Sequence, residues 1–177
     1  NAYEVSVGEI LQDLDSLDAP QVWKQRFWAT PRDCRLLDRL MVYPRLRDIV
    51  RGPKEASEGK PWIIGVGFQP ETEGDDPDKS GYLSLPSTQF VKATNRSIDL
   101  FLLQRDCETL ESSRVLVRSG SNKNVAPFCT PHVLIAKGFS RVAFADFDVS
   151  FQDALRGIHG PKADRGLLVF LSAFLRT

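Results

Sequence analysis

Cys129-Thr130-Pro131-His132 has the Cys-x-x-His spacing of a metal half-site, and it is the first arrangement in the chain that suggests chemistry. A structural zinc site needs four ligands. Beyond that pair the sequence offers only Cys34, Cys107 and His159, and none forms a second closely spaced pair. The same count weakens a Cys/His nucleophile. The expected roles are a small buried thiol and a histidine at the start of a strand. Glu58-Gly59-Lys60 matches the Glu-x-Lys half of a metal-dependent nuclease site. That chemistry needs the pair on a strand beside a second acid. Here the triplet lies in a loop-like stretch, and Pro77-Asp78 follows it instead of preceding it. Asp146 and Asp148 share one side of a predicted strand and could hold Mg²⁺, although exposed strand-edge charge is the simpler reading. Gly65-Val66-Gly67 lacks the third glycine of a dinucleotide loop, and Pro70 argues against the helix that should follow. A bulge or close packing against another backbone is expected there. Walker and Gly-x-Ser-x-Gly motifs are absent. No residue is therefore nominated as a catalytic group, a metal ligand or a cofactor ligand.

The clearest physical signal is a charge asymmetry. No acidic residue occurs between Glu111 and Asp146, while that window holds Arg114, Arg118, Lys123, Lys137 and Arg141. It also holds Ser119-Gly120-Ser121-Asn122-Lys123-Asn124, a polar loop between two strand-like segments. Lysine and arginine neutralise phosphates, and Asn, Lys and Arg also read base edges. Such a loop could enter a DNA groove while the flanking cations hold the backbone; the alternative is a plain solvated turn. The formal net charge is zero. A free-standing nucleic-acid binder is usually basic, so any DNA surface here must be a local patch.

The elements that must position these residues are legible in part. Ser6-Val7-Gly8-Glu9 reads as a capping box with Val5 and Ile10 as a staple, followed by the stripe Ile10, Leu11, Leu14 and Leu17. Asp18-Ala19-Pro20-Gln21 and Thr30-Pro31-Arg32-Asp33 are further helix starts. Leu37, Leu40 and Met41 give the expected buried side of the latter, Pro44 ends it, and Leu46, Ile49 and Val50 suggest one more helix. Strands are expected over Trp62–Phe68, Ile98–Leu103, Arg114–Arg118, His132–Ala136 and Arg141–Phe151, the last with a register break near Ala145. Glu71 to Asp78 reads as a solvated acidic loop. A closing helix begins near Pro161 or Asp164. The class is α+β: short N-terminal helices, a mixed and mostly antiparallel sheet, and a C-terminal helix. The expected division is 1–2 as a tag remnant, 3–52 helical, 53–160 a β-rich recognition domain, and 161–177 the start of a truncated helix.

With 42% hydrophobic and 26% charged residues over 177 positions, the composition is that of an ordinary globular chain. Its apolar runs fall far short of the ~20 residues of a membrane span, so no membrane partner is expected. Three scattered cysteines argue against a disulfide framework and for a reducing, cytoplasmic compartment. The start at Asn1 without Met, and an apolar helical pattern still running at Leu175, suggest a piece of a larger protein.

Several of these segments carry a family resemblance. Pro131–Gly138, Arg141–Phe151 and Leu155-Arg156-Gly157-Ile158, followed by Leu167, Leu168, Leu171, Ala173 and Leu175, resemble the C-terminal part of bacterial N-6 adenine DNA methyltransferases of restriction-modification systems. Trp28-Ala29-Thr30-Pro31-Arg32-Asp33 is similar to another motif of that family, which usually has Gly at the Ala29 position. Where the family often continues Leu-Asn-Ser, this chain has Leu175-Arg176-Thr177. The family's Asn-Pro-Pro-Tyr motif and glycine-rich cofactor loop are missing. The resemblance implies a target-recognition region. The parent would transfer a methyl group from S-adenosylmethionine, bound in an upstream methyltransferase domain, to adenine in double-stranded DNA. Methylating a base requires flipping it out of the stack, so a second domain gripping the duplex makes physical sense. Candidate DNA contacts are Arg114, Arg118, Asn122, Lys123, Asn124, Lys137 and Arg141. The rival class is a protein-interaction domain of the same kind of parent, with Trp23, Phe27 and Trp28 as anchors.

Overall fold

The computed structural model describes residues 6–15, 29–53, 55, 59–75, 80–92, 101–121, 123–139 and 141–176. Leu17, the Asp18 helix start, Trp23, Phe27, Trp28, Glu58, Pro77, Asp78 and Asn122 lie outside them. The chain divides into two compact units, Asn1–Arg45 and Leu46–Thr177.

The first unit carries helices α1 (Val7–Leu14) and α2 (Pro31–Leu40). Thr30 caps α2 as its sequence predicts. Its hydroxyl accepts the Asp33 N–H at 3.3 Å, and the Asp33 carboxylate accepts the Thr30 N–H at 2.8 Å. Those bonds from Thr30 hold the Asp33 carboxyl below the usual carboxylate range. The expected buried side of α2 is not found: no residue of the helix is buried, and Leu40 and Met41 are exposed. Periodicity reports a stripe, and burial requires something packed against it.

The second unit is built on a five-stranded sheet in the order β1-β2-β10-β7-β8. These strands are β1 (Val50–Arg51), β2 (Trp62–Val66), β7 (His132–Ala136), β8 (Val142–Ala145) and β10 (Leu155–His159). A short helix, α3 (Leu46–Ile49), leads into β1, which pairs with β2 in parallel; the remaining pairs are antiparallel. The apolar run of β7 is continuous because the sheet is covered on both faces. Val133 and Ile135 face one core with Trp62, Val142, Phe144, Ile158 and Leu168 of the closing helix α4 (Arg165–Phe174). Leu134 and Ala136 face the other core with Phe68, Phe128, Phe151 and Leu155. The Trp62 indole N–H donates to the Asp164 carboxylate at 2.8 Å, and Arg165 donates to Asp146 at 2.7 Å, pinning the start of α4 to the sheet.

Two smaller sheets close the second core. β3 (Gly81–Ser84) pairs with β6 (Arg114–Val117), and β5 (Glu108–Thr109), β4 (Gln89–Val91) and β9 (Ser150–Phe151) form the other. The register break expected near Ala145 is real: β8 stops there, and the chain resumes as β9 in a different sheet. The close packing expected at Gly67 is also real, since a side chain there would collide with the backbone of Phe151 and Gln152.

Candidate nucleic-acid interface

Strand β6 alternates. Val117 is buried and Val115 half-buried, while Arg114 and Leu116 point outward. Across the ladder Leu83 faces inward and Tyr82 is 58% exposed. The Arg114 guanidinium lies over the Tyr82 ring at 4.1 Å. An aromatic face beneath it constrains where this planar guanidinium sits.

The other edge of β6 meets Gln69, Pro70 and Glu71, the last of which was expected to open a loop. Pro70 bridges Val117, the Arg118 N–H donates to the Gln69 carbonyl at 3.1 Å, and the Glu71 N–H donates to the Leu116 carbonyl at 3.2 Å. Glu71 thus belongs to a strand-like edge and is half-buried, which corrects the solvated-loop reading at its first residue. The acidic stretch turns away only afterwards, where the Asp75 carboxylate accepts the Thr72 N–H at 2.7 Å.

A polar chain runs out from this edge. Arg118 Nε donates to Gln69 Oε1 at 2.7 Å, Gln69 Nε2 donates to Asp153 Oδ2 at 3.1 Å, and Lys137 Nζ stands 3.9 Å from the same carboxylate oxygen. Arg118 and Lys137, from different strand ends, are brought together through Gln69 and Asp153. Lys123 approaches the same end of the ribbon, because a Cβ on Gly81 would sit 2.8 Å from its ammonium. The polar segment is anchored at Ser121. Gly120 takes φ 78°, and the Ser121 hydroxyl accepts the Gln69 N–H at 3.2 Å.

The other candidates among the described residues have different settings. Asn124 spends both ends of its amide on the backbone, accepting the Ala126 N–H at 2.9 Å and donating to the Pro53 carbonyl at 3.3 Å. Arg114 lies at the opposite end of β6 from Arg118. Arg141 is half-buried at the β7–β8 turn, whose Gly138 has φ 78°. Gln69, Tyr82, Glu71 and Asp153 were not nominated from the sequence. No local pattern marks them, since Gln69 meets Arg118 across 49 positions and Asp153 across 84.

The other candidate chemistry resolves into structural roles. His132 is fully buried, with Nδ1 2.8 Å from the Pro127 carbonyl and Nε2 3.2 Å from the Phe147 carbonyl. Burial outweighs those contacts and pulls its pKa down to about 4. Burial pushes the Cys107 thiol up to about 11 and also raises Cys129, keeping both protonated at neutral pH. Asp146 is paired with Arg165, and Asp148 accepts the Thr130 N–H at 2.8 Å, so the two carboxylates serve separate partners. Lys60 stands 3.7 Å from Glu55. Among the described residues, no group of three or more His, Cys, Asp or Glu could hold a metal ion. Nor is any helix among them long and apolar enough to cross a membrane.

No family model matches the chain, and no curated protein does. Among solved structures, the HsdS subunit from Thermoanaerobacter tengcongensis is similar at 14% identity with a TM-score of 0.29. The match covers 97% of this chain and 40% of that one, so the chain spans about two fifths of that subunit's length. A likeness this distant assigns neither a fold nor a function.

Proposed function

We propose that this chain is a DNA target-recognition domain, carried beside the methyltransferase domain of an S-adenosylmethionine-dependent adenine-N6 methyltransferase or restriction-modification enzyme. The observation that supports it most is the joining of Arg118 and Lys137, with Lys123 nearby, on one exposed patch of a chain whose net charge is zero. Cations concentrated in this way neutralise phosphates and fix register. The methyl-transfer chemistry and the cofactor would belong to the parent's other domain, and the compartment would be cytoplasmic.

The test is equilibrium binding of the chain to a mixed-sequence duplex, beside Lys123→Ala and Lys137→Ala. Each lost phosphate contact should weaken binding to every sequence and reduce the slope of log K against log salt by about one. Wild-type binding that both variants leave unchanged would refute the placement, and no binding at low salt would refute the reading.

One observation favours a second reading, a protein-interaction domain. On α4, Leu167, Phe170 and Phe174 are 58%, 68% and 62% exposed, and the two phenyl rings stack at 6.2 Å. Exposed apolar rows of this kind mark association surfaces.

A further inference from the structure

The outward row of β6 shares Arg118 with the cationic patch and adds other chemistry to it. Arg114, Leu116 and Arg118 alternate along one side of the strand, with Arg118 just past its end. The pairing of Pro70 with Val117 sets Gln69 opposite Arg118 and Glu71 opposite Leu116. Cross-strand partners share a face. One face therefore combines guanidinium donors, a carboxylate, an amide and an apolar side chain.

We infer that this face reads base edges in the major groove of duplex DNA, with Arg114, Leu116, Glu71 and Arg118 as the specificity-determining residues. The inference rests on the DNA-recognition reading and adds which residues choose the sequence. A surface that only gripped phosphates would gain nothing from Glu71, whose carboxylate repels them. Base edges need that variety. Arginine matches the O6 and N7 of guanine, a carboxylate accepts from the amino group of cytosine, and an apolar side chain meets the thymine methyl.

The spacing agrees. Residues two apart on a strand stand about 6.7 Å apart, close to two base-pair rises of about 3.4 Å. A strand laid along the groove would meet every second pair. Both arginines are also pre-oriented. Tyr82 carries the Arg114 guanidinium, and Gln69 holds Arg118 by its Nε, so its terminal nitrogens have no partner among the described residues. Glu71 has no side-chain partner among them either. The two guanidinium groups are exposed and already oriented, so little of their conformational entropy is lost when DNA arrives.

The experiment is selection from a randomised duplex library with the 177-residue chain and its Arg114→Ala, Leu116→Ala, Glu71→Gln and Lys123→Ala variants. The wild type should enrich a motif. Arg114→Ala should lose discrimination of about tenfold or more at a guanine position, and Glu71→Gln should relax a cytosine position. Lys123→Ala should weaken all duplexes alike and keep the motif. Replacing the selected guanine by 7-deazaguanine should weaken the wild type and leave Arg114→Ala unaffected. If the Arg114, Leu116 and Glu71 variants keep the wild-type motif, or the wild type binds without enriching one, the inference is overturned while the DNA reading stands. If the wild type binds no duplex, both fall.

Discussion

Replacing Asp153 with Asn removes a carboxylate from the cationic patch while keeping its shape. The amide oxygen can still accept from Gln69, so the Arg118–Gln69 arrangement should survive. At present the carboxylate stands 3.9 Å from the Lys137 ammonium. A phosphate reaching that ammonium from the far side would lie about 7 Å from Asp153, where like charges in water repel by about 0.6 kcal/mol. Asp153→Asn should therefore tighten duplex binding by about threefold at low salt. The gain should shrink as salt rises, because the Debye length falls to about 8 Å at 0.15 M. Fluorescence anisotropy with a labelled duplex at several salt concentrations measures both effects. Folding stability should change by no more than about 1 kcal/mol, since the pair is exposed to solvent. Unchanged or weaker binding by Asp153→Asn at low salt would refute the claim that DNA meets this patch.

Other consequences concern the framework that holds the site. His132 has a folded-state pKa of about 4, below its ordinary 6.5, so the fold favours the neutral ring. Stability should be fully present above pH 6.5 and decline toward pH 4, by at most about 3 kcal/mol. A ring NMR titration checks this, and a native-state midpoint near 6.5 would contradict it. Gly157→Ala should destabilise strongly in urea unfolding, because a Cβ would meet the Pro127 carbonyl at 2.5 Å and the Phe151 ring at 2.7 Å. A loss under about 0.5 kcal/mol would count against that packing. Leu168→Ala empties a fully buried position under α4 and should cost about 2–5 kcal/mol in the same assay. A near-neutral result would mean that the helix is not docked on the sheet.

What the sequence revealed was the local part of the structure. Strand β7 was readable because its apolar run begins at His132 and ends at Lys137-Gly138. The α2 cap was readable because Thr30, Pro31 and Asp33 meet within one turn. Strand β10 was hidden, though it lies in the middle of the main sheet. Arg156 and Gly157 interrupt its pattern, and the glycine is required only because Pro127 and Phe151 press against it. Strands β3, β4 and β5 are short and partly polar, and they exist as strands through distant partners. The cations of the candidate site were visible as a charge bias. Their joining through Gln69 and Asp153, and the mixed chemistry beside Leu116, depend on pairings across the fold that no local pattern encodes.

Duplex DNA should land on the face bearing Arg118 and Lys137. Amide chemical-shift mapping of the 19.9 kDa chain during a duplex titration at low salt tests it most directly. Shifts are expected at residues 69–71, 114–123 and 137–141, with α4 unmoved. An absence of duplex-dependent shifts, or shifts confined to Leu167, Phe170 and Phe174, would contradict it.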